Sequence, residues 1–328
     1  MPLLLREADV AALLPMDAAI EIMEQALRAF STGRVLQPVR LALSIEPHAG
    51  YLGLMPAHLR GGDGREALGA KAVTFYTGNT ARHLPTHMAV ILLWDSATGA
   101  LVAIMDGRLI TEMRTAATSA AATKALARGE AGVLALLGAG VQARSHFEAL
   151  RLVRRLREVR VWSRTKARRE TFAREMGDQG LPIRVCTTAE EAVRGADLIV
   201  TATSSPTPVL EGRWIADGAH INAVGAPRPD WRELDTAAVA RARLFVDSRA
   251  GAVVESGDII QALKEGAIDE GNIRAEIGEV LAGRMAGRTS PRDITLFKSL
   301  GMAVEDVATA AYVLARAREH GAGQEIEL

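Results

Sequence analysis

Val133-Leu134-Ala135-Leu136-Leu137-Gly138-Ala139-Gly140-Val141-Gln142-Ala143-Arg144-Ser145-His146 runs from an apolar, buried-type strand straight into a glycine turn and on into an amphipathic helix. Gly138 permits the tight turn. Gly140 lets the backbone approach a pyrophosphate, which then sits over the positive end of the helix, and Ala143 keeps helix and strand close. A Gly-x-Gly-x-x-Ala string is weak by itself. Its placement between an apolar strand and a helix is the context that gives it meaning, and it favours a nicotinamide or flavin enzyme over a plain glycine turn.

Downstream of this turn, strand-like runs at Val159–Trp162, Ile183–Cys186, Leu198–Ala202, His220–Val224, Leu244–Asp247 and Ile294–Phe297 alternate with helical segments at Gln142–Arg155, Lys166–Met176 and Ala189–Arg194. That alternation predicts a doubly wound parallel sheet. Upstream, Asp17 can cap a first helix that carries Ile20, Met23, Leu27 and Phe30 at helical spacing and stops at Gly33. Strand-like runs follow at Val39–Ile45, Tyr51–Met55, Lys71–Tyr76, Met88–Trp94 and Leu101–Met105, the last two joined by the turn Asp95-Ser96-Ala97-Thr98-Gly99. This third of the chain reads as a largely antiparallel sheet. Leu109 to Arg128 is a helix rich in Ala, Thr and Ser, a face that suits either a subunit partner or the domain core. After Ser299 an amphipathic helix runs to about Glu319, with Met302, Val304, Val307, Ala311 and Leu314 as its apolar side.

Lysine plus arginine and aspartate plus glutamate both number 39 in 328 residues, a balance that argues against nucleic acid or a membrane surface as partner. The single cysteine, Cys186, leaves no intrachain disulfide and no cysteine cluster for a metal; the histidines lack ligand spacing, and no metal is expected. With no run apolar enough for a leader or a membrane span, a cytoplasmic protein is expected.

The second strand of the parallel sheet bears on the choice of cofactor. An acidic residue at its end would hold the ribose 2′-hydroxyl of NAD and repel a 2′-phosphate. Here Val159-Arg160-Val161-Trp162 leads into Ser163-Arg164-Thr165-Lys166, with no carboxylate. Two hydroxyls and two cations suit a 2′-phosphate, so NADP (as NADPH) is expected over NAD, the alternative being a solvated basic loop.

Several segments together resemble the ornithine cyclodeaminase/mu-crystallin family, most closely its mu-crystallin (ketimine reductase) branch. They include Gln37-Pro38-Val39-Arg40, Gly50-Tyr51-Leu52-Gly53-Leu54-Met55-Pro56-Ala57, Lys71-Ala72-Val73-Thr74-Phe75-Tyr76, Met105-Asp106-Gly107 and Arg114-Thr115-Ala116-Ala117. Further matches are Leu137 to Ala143, His220 to Ala226, Arg228-Pro229-Asp230-Trp231-Arg232-Glu233-Leu234-Asp235 and Phe297 to Asp306. The resemblance implies a Rossmann NAD(P)-binding domain over residues 116–300, inserted into a mixed α+β substrate-binding and dimerisation domain made of residues 1–115 and 301–328. It also implies a homodimer and a small-molecule substrate.

On the matching positions, the resemblance makes Arg40, Lys71 and Arg114 the groups that hold a substrate carboxylate, with Lys71 and Arg114 at the reacting centre. Arginine offers a carboxylate a two-pronged fork and lysine a point charge, which agrees with that role. Met55 and His87 join the substrate set, His87 as a loop residue just ahead of a strand. The cofactor set is Thr115, Gly138, Gly140, Val141, Gln142, Ser163, Arg164, Thr165, Thr203, Val224, Gly225 and Ser299. His83 and His146 have no comparable case.

One position departs from the family. Cyclodeaminases and alanine dehydrogenases of this type place an aspartate where Pro227 stands, and proline transfers no proton; Asp230 is the nearest substitute. Oxidising a protonated amino acid needs a base, whereas an imine that arrives protonated does not. The expected activity is therefore NAD(P)H-dependent reduction of a cyclic ketimine carboxylate such as Δ1-piperideine-2-carboxylate or Δ1-pyrroline-2-carboxylate, with Lys71 or ordered water as the proton source. The alternatives are an amino-acid dehydrogenase or reductive aminase on 2-oxo acids, an ornithine cyclodeaminase-like enzyme, and an NADP-dependent binding protein without turnover.

Overall fold

The computed structural model describes residues 1–61, 66–177 and 180–327. The chain divides into two compact units, one of residues 1–114 and 302–328, the other of residues 115–301. Among the described residues each unit holds an eight-stranded sheet.

In the first unit the strands run in the order Gln324–Glu325, Leu3–Leu5, Leu101–Asp106, His87–Trp94, Ala67–Tyr76, Gly50–Leu59 and Val35–Leu36, with Leu41–Ile45 also paired to Gly50–Leu59. All pairs are antiparallel except Leu3–Leu5 with Leu101–Asp106. Period-two alternation sorts the faces. On Ala67–Tyr76, Ala67, Gly69, Lys71 and Val73 point inward and are buried. The helix Ala303–His320 lies against this face, and Met16–Ser31 packs on that helix. A Cβ on Gly69 would stand 2.8 Å from the Leu92 carbonyl and 3.0 Å from the Val307 side chain, so only glycine admits the helix this closely.

Two sequence expectations change here. Asp17 does not cap the first long helix; Pro15 holds the cap position, and the Asp17 carboxylate accepts instead from the Ala18 amide in the first turn. Proline there loses no needed donor, because the first helical amides have no internal partner anyway. His87 is not a loop residue but the first residue of its strand, paired with Phe75.

In the second unit all eight strands are parallel, in the order Ile183–Val185, Glu158–Trp162, Val133–Leu137, Leu198–Thr201, His220–Ala223, Thr295–Lys298, Arg243–Val246 and Ile273–Glu276. This is the Rossmann-type arrangement, with the order reversing beside Val133–Leu137. Ile273–Glu276 is a strand the sequence pattern does not mark. At four residues, with Ile273 and Ala275 inward and Arg274 exposed, it is too short to show a period. The small-residue helix Arg108–Leu126 faces core rather than solvent over its later turns: Ala116, Ala117, Ser119, Ala120 and Thr123 are fully buried. There Ser119 Oγ meets His146 Nε2 at 2.9 Å, and Asn222 Nδ2 donates to Thr123 Oγ1 at 2.9 Å.

Candidate active site

Lys71 sits mid-strand between Met55 on one neighbouring strand and Ile91 on the other, all three buried. A lysine on an inward row needs a partner, and the facing helix supplies it. Lys71 Nζ forms an ion pair with Asp306 Oδ2 at 2.6 Å and donates to Thr111 Oγ1 at 3.3 Å. Arg114, on the helix that follows the last long strand, reaches the same acid: its Nε donates to Asp306 Oδ1 at 3.0 Å and its Nη1 to Glu305 Oε2 at 2.8 Å. Glu305 and Asp306 are both fully buried. Gln37, in the segment that also carries Arg40, accepts from the Val304 amide at 2.9 Å and so ties that segment to the first turn of the helix bearing the two acids.

The electrostatics follow from burial and these charges. Burial, opposed by the Asp306 carboxylate and reinforced by the Arg114 and Arg40 charges, lowers the Lys71 ammonium to about 8. Burial pushes the Asp306 carboxyl up, but the Arg114 and Lys71 charges and hydrogen bonds outweigh it and hold it below the usual carboxylate range. His87 is pushed down to about 4 by burial and by the Lys71 and Arg114 cations, so it is neutral at ordinary pH. Arg40, Lys71, His87 and Arg114 thus share one electrostatic neighbourhood, with Met55 beside Lys71 as an apolar wall.

Glu305 and Asp306 have no role in the sequence reading, although they lie inside a quoted segment. Two adjacent acids interrupt the apolar run from Met302 to Val307, as the acidic first turn of an ordinary helix would, and the structure buries both. The buried side of that helix is therefore not purely apolar.

In the second unit the cofactor set lies along the carboxyl ends of the parallel strands. Gly138 has φ +125°, and a Cβ there would stand 2.5 Å from the Ala202 carbonyl. Gly140 is the N-cap of Val141–Val153 with no side-chain cap, and nothing lies within 4 Å of where its Cβ would be. An uncapped helix end over an open glycine fits a dinucleotide pyrophosphate. Ser163, Arg164 and Thr165 follow the strand Glu158–Trp162, with Arg164 and Thr165 exposed, and Arg169 Nη1 donates to the Ser163 carbonyl at 3.0 Å. Thr203, Val224, Gly225 and Ser299 follow the three strands on the other side of the turn. Ser299 Oγ is buried without a hydrogen-bond partner, a polar atom suited to a ligand. Thr115 is buried at the start of this unit's part of the long helix.

The remaining residues sort plainly. His146 Nδ1 meets the Gln142 carbonyl at 2.7 Å, and burial lowers the ring to about 4, the mark of a neutral structural histidine. Asp230 is exposed and paired with Arg228 at 3.3 Å. Pro227 follows Ala226, a non-glycine residue at φ +56°. Among the described residues no group of three or more metal-ligating side chains is present, and no helix is long and apolar enough to cross a membrane.

A parallel sheet of this order with a glycine turn at the first helix places the chain among Rossmann-type proteins. The chain belongs to the ornithine cyclodeaminase/mu-crystallin family, whose sequence profile matches residues 1–321. It is 47% identical over 295 residues to the ketimine reductase mu-crystallin of Mus musculus, covering 89% of each chain. Two solved structures share its fold closely. One is the Δ1-pyrroline-2-carboxylate reductase of Thermococcus litoralis in complex with NADH and L-proline, at 42% identity and TM-score 0.96, covering 99% of this chain and 100% of that one. The other is an archaeal alanine dehydrogenase dimer with bound NAD, at 37% identity and TM-score 0.94, covering 99% of each chain.

Proposed function

We propose that this protein is an NAD(P)H-dependent reductase of cyclic ketimine carboxylates, of the Δ1-pyrroline-2-carboxylate and Δ1-piperideine-2-carboxylate type. The observation that carries the reading is the buried cluster in which Lys71 and Arg114 converge on Asp306 with Arg40 acting on the same lysine. Arginine and lysine side chains gathered in one place suit a carboxylate ligand, and the similarity to a ketimine reductase and a pyrroline-2-carboxylate reductase supports that substrate class.

A nicotinamide dinucleotide held at the Gly138–Gly140 turn would supply the hydride for the C=N carbon. The chain's own residues bind and orient: Arg40 and Arg114 hold the substrate carboxylate, and Met55 packs against the ring. Lys71 keeps a proton at Nζ at neutral pH, because its pKa of about 8 lies above 7, and is close enough to neutrality to give that proton to the imine nitrogen. The acids bear on cyclodeaminase-type chemistry. Asp306, held ionised by two cations, is a weak base, and Pro227 stands where relatives of the cyclodeaminase type carry an aspartate. L-Ornithine with NAD should therefore yield little or no proline.

Two finer readings belong to the same proposal. NADPH is preferred over NADH, because Ser163, Arg164 and Thr165 replace the acidic ribose ligand. The protein acts as a homodimer, because the outer face of the first sheet exposes Leu41, Leu43 and Leu54 on one side of the strand Ala67–Tyr76 and Met88 and Val90 on the other, an apolar surface that a second copy would cover.

The test is NADPH consumption with a panel of cyclic imino acids, and then with 2-oxo acids plus ammonia or methylamine. Turnover of the first group is expected. Turnover of the second group alone would make the protein a reductive aminase, and ligand binding without turnover of either would make it a binding protein.

A further inference from the structure

Glu233, which belongs to the segment Arg228 to Asp235 but to neither the substrate nor the cofactor set, is fully buried and holds two loops with one carboxylate. Its Oε1 accepts from the Thr203 amide at 2.6 Å and its Oε2 from the Gly225 amide at 2.8 Å. Those amides belong to the turns that leave the adjacent parallel strands Leu198–Thr201 and His220–Ala223. The backbone that carries it is fixed from behind. The Glu233 and Leu234 amides both donate to Asp258 Oδ1, at 2.7 and 3.0 Å. Asp258 Oδ2 pairs with Lys298 Nζ at 2.8 Å, and Lys298 also donates to the Gly225 carbonyl. Lys298 ends the next strand, Thr295–Lys298, just before the unpartnered Ser299 hydroxyl. Three neighbouring strand ends are thus tied to one acid–acid–lysine chain. A Cβ on Gly225 would fall 2.4 Å from the Glu233 carboxylate, so the loop accepts only glycine.

We propose that Glu233 is a positioning residue for the nicotinamide half of the dinucleotide, acting through the Thr203 and Gly225 turns; this rests on the dinucleotide-enzyme reading above. The halves of the sheet separate the two parts of the cofactor. In a doubly wound sheet each half takes one mononucleotide, with the pyrophosphate at the reversal point. The adenosine side falls to the strands Val133–Leu137 and Glu158–Trp162, where Ser163 and Arg164 stand. The strands that Glu233 bridges lie on the other side of the reversal, so its loss should be felt by the nicotinamide side alone.

The experiment uses full-length wild type and Glu233→Gln, with thermal unfolding to confirm folding and binding titrations of NADPH and of adenosine 2′,5′-bisphosphate, a probe of the adenosine side (NADH and ADP where wild type prefers NADH). Glutamine keeps one acceptor oxygen but turns an NH2 toward the other amide. The expected result is a rise of about tenfold or more in Kd for the dinucleotide, with the adenosine-side probe changed by less than about twofold. Equal losses for both ligands, or none for either, would overturn the positioning role. A wild type that binds neither ligand overturns the dinucleotide reading itself, which is a different result. If Glu233→Gln does not fold, Glu233→Asp keeps the charge but cannot span both turns, and the same selective loss is expected of it.

Discussion

The two units build their sites in opposite ways. In the Rossmann-type unit the glycine turn is local and open. Strand, turn and helix are consecutive in sequence, and Gly140 has free space where a side chain would be. In the other unit the site is buried and assembled from afar: Lys71, Arg114 and Asp306 come from a strand, one helix and another helix nearly two hundred residues further on, and are 0–4% exposed. An open site waits for its ligand to supply the countercharge. A closed one must neutralise its own charges first, because an unpaired buried charge is costly. Substitutions should therefore damage the buried cluster through folding and chemistry together, and the open side of the turn, at Gly140, through ligand affinity alone.

The largest expected effect is at Arg114. Arg114→Ala leaves Glu305 and Asp306 buried without their shared cation, so stability should fall by about 3–5 kcal/mol along with activity, read by thermal or urea unfolding. A variant that loses activity at unchanged stability would mean that Arg114 is a ligand-binding group only and that the acids are neutralised by other means.

Next comes the pH profile. With the Lys71 ammonium at about 8, the proton-loaded form dominates below that pH and declines above it, so kcat/KM should fall through about pH 8 as pH rises. Asp306 raises the Lys71 pKa, so Asp306→Asn should move that limb to lower pH. His87, neutral above about 4, should add no limb between pH 5 and 8. A limb that stays in place in Asp306→Asn would separate it from Lys71.

Two glycines in the open turn should behave unlike each other. Gly138→Ala forces a side chain into φ +125° and against the Ala202 carbonyl, which should cost about 2–3 kcal/mol of stability. Gly140→Ala meets nothing in the protein, so the unfolding midpoint should hold while dinucleotide affinity falls. Equal effects in the two variants would erase the contrast between frame and ligand surface. The smallest effect is at the exposed Arg164: Arg164→Ala should raise KM for NADPH and spare NADH, the lost contact being charge-assisted and about 1.5–3 kcal/mol at most. Equal changes for both cofactors would remove Arg164 from the 2′-phosphate.

The same contrast explains what the sequence reveals. The Rossmann-type sheet is legible because each strand, turn and helix is a short-range pattern, and Gly138 and Gly140 mark their own backbone requirements. The antiparallel sheet is legible from alternation, apart from two- and three-residue strands such as Val35–Leu36 that are too short to alternate. The buried cluster is legible only in half. Its cations stand out on apolar elements, but Glu305 and Asp306 read as the ordinary acidic first turn of a helix, which is favourable anywhere. Only the tertiary register of Ala303–His320 on the sheet turns them toward Lys71. Glu233 was hidden for a similar reason, since its two partners are backbone amides that leave no mark on the sequence.

The central claim is that the buried cations act on a substrate carboxylate next to a C=N bond. Its most direct test compares, in the wild type, NADPH oxidation with Δ1-pyrroline-2-carboxylate and with Δ1-pyrroline, the same ring without the carboxylate. A kcat/KM lower by two orders of magnitude or so is predicted for the second, the equivalent of about 2–4 kcal/mol for a buried, charge-assisted contact. Equal kcat/KM for the two rings would contradict the account and leave Lys71, Arg114 and Asp306 as a structural ion cluster.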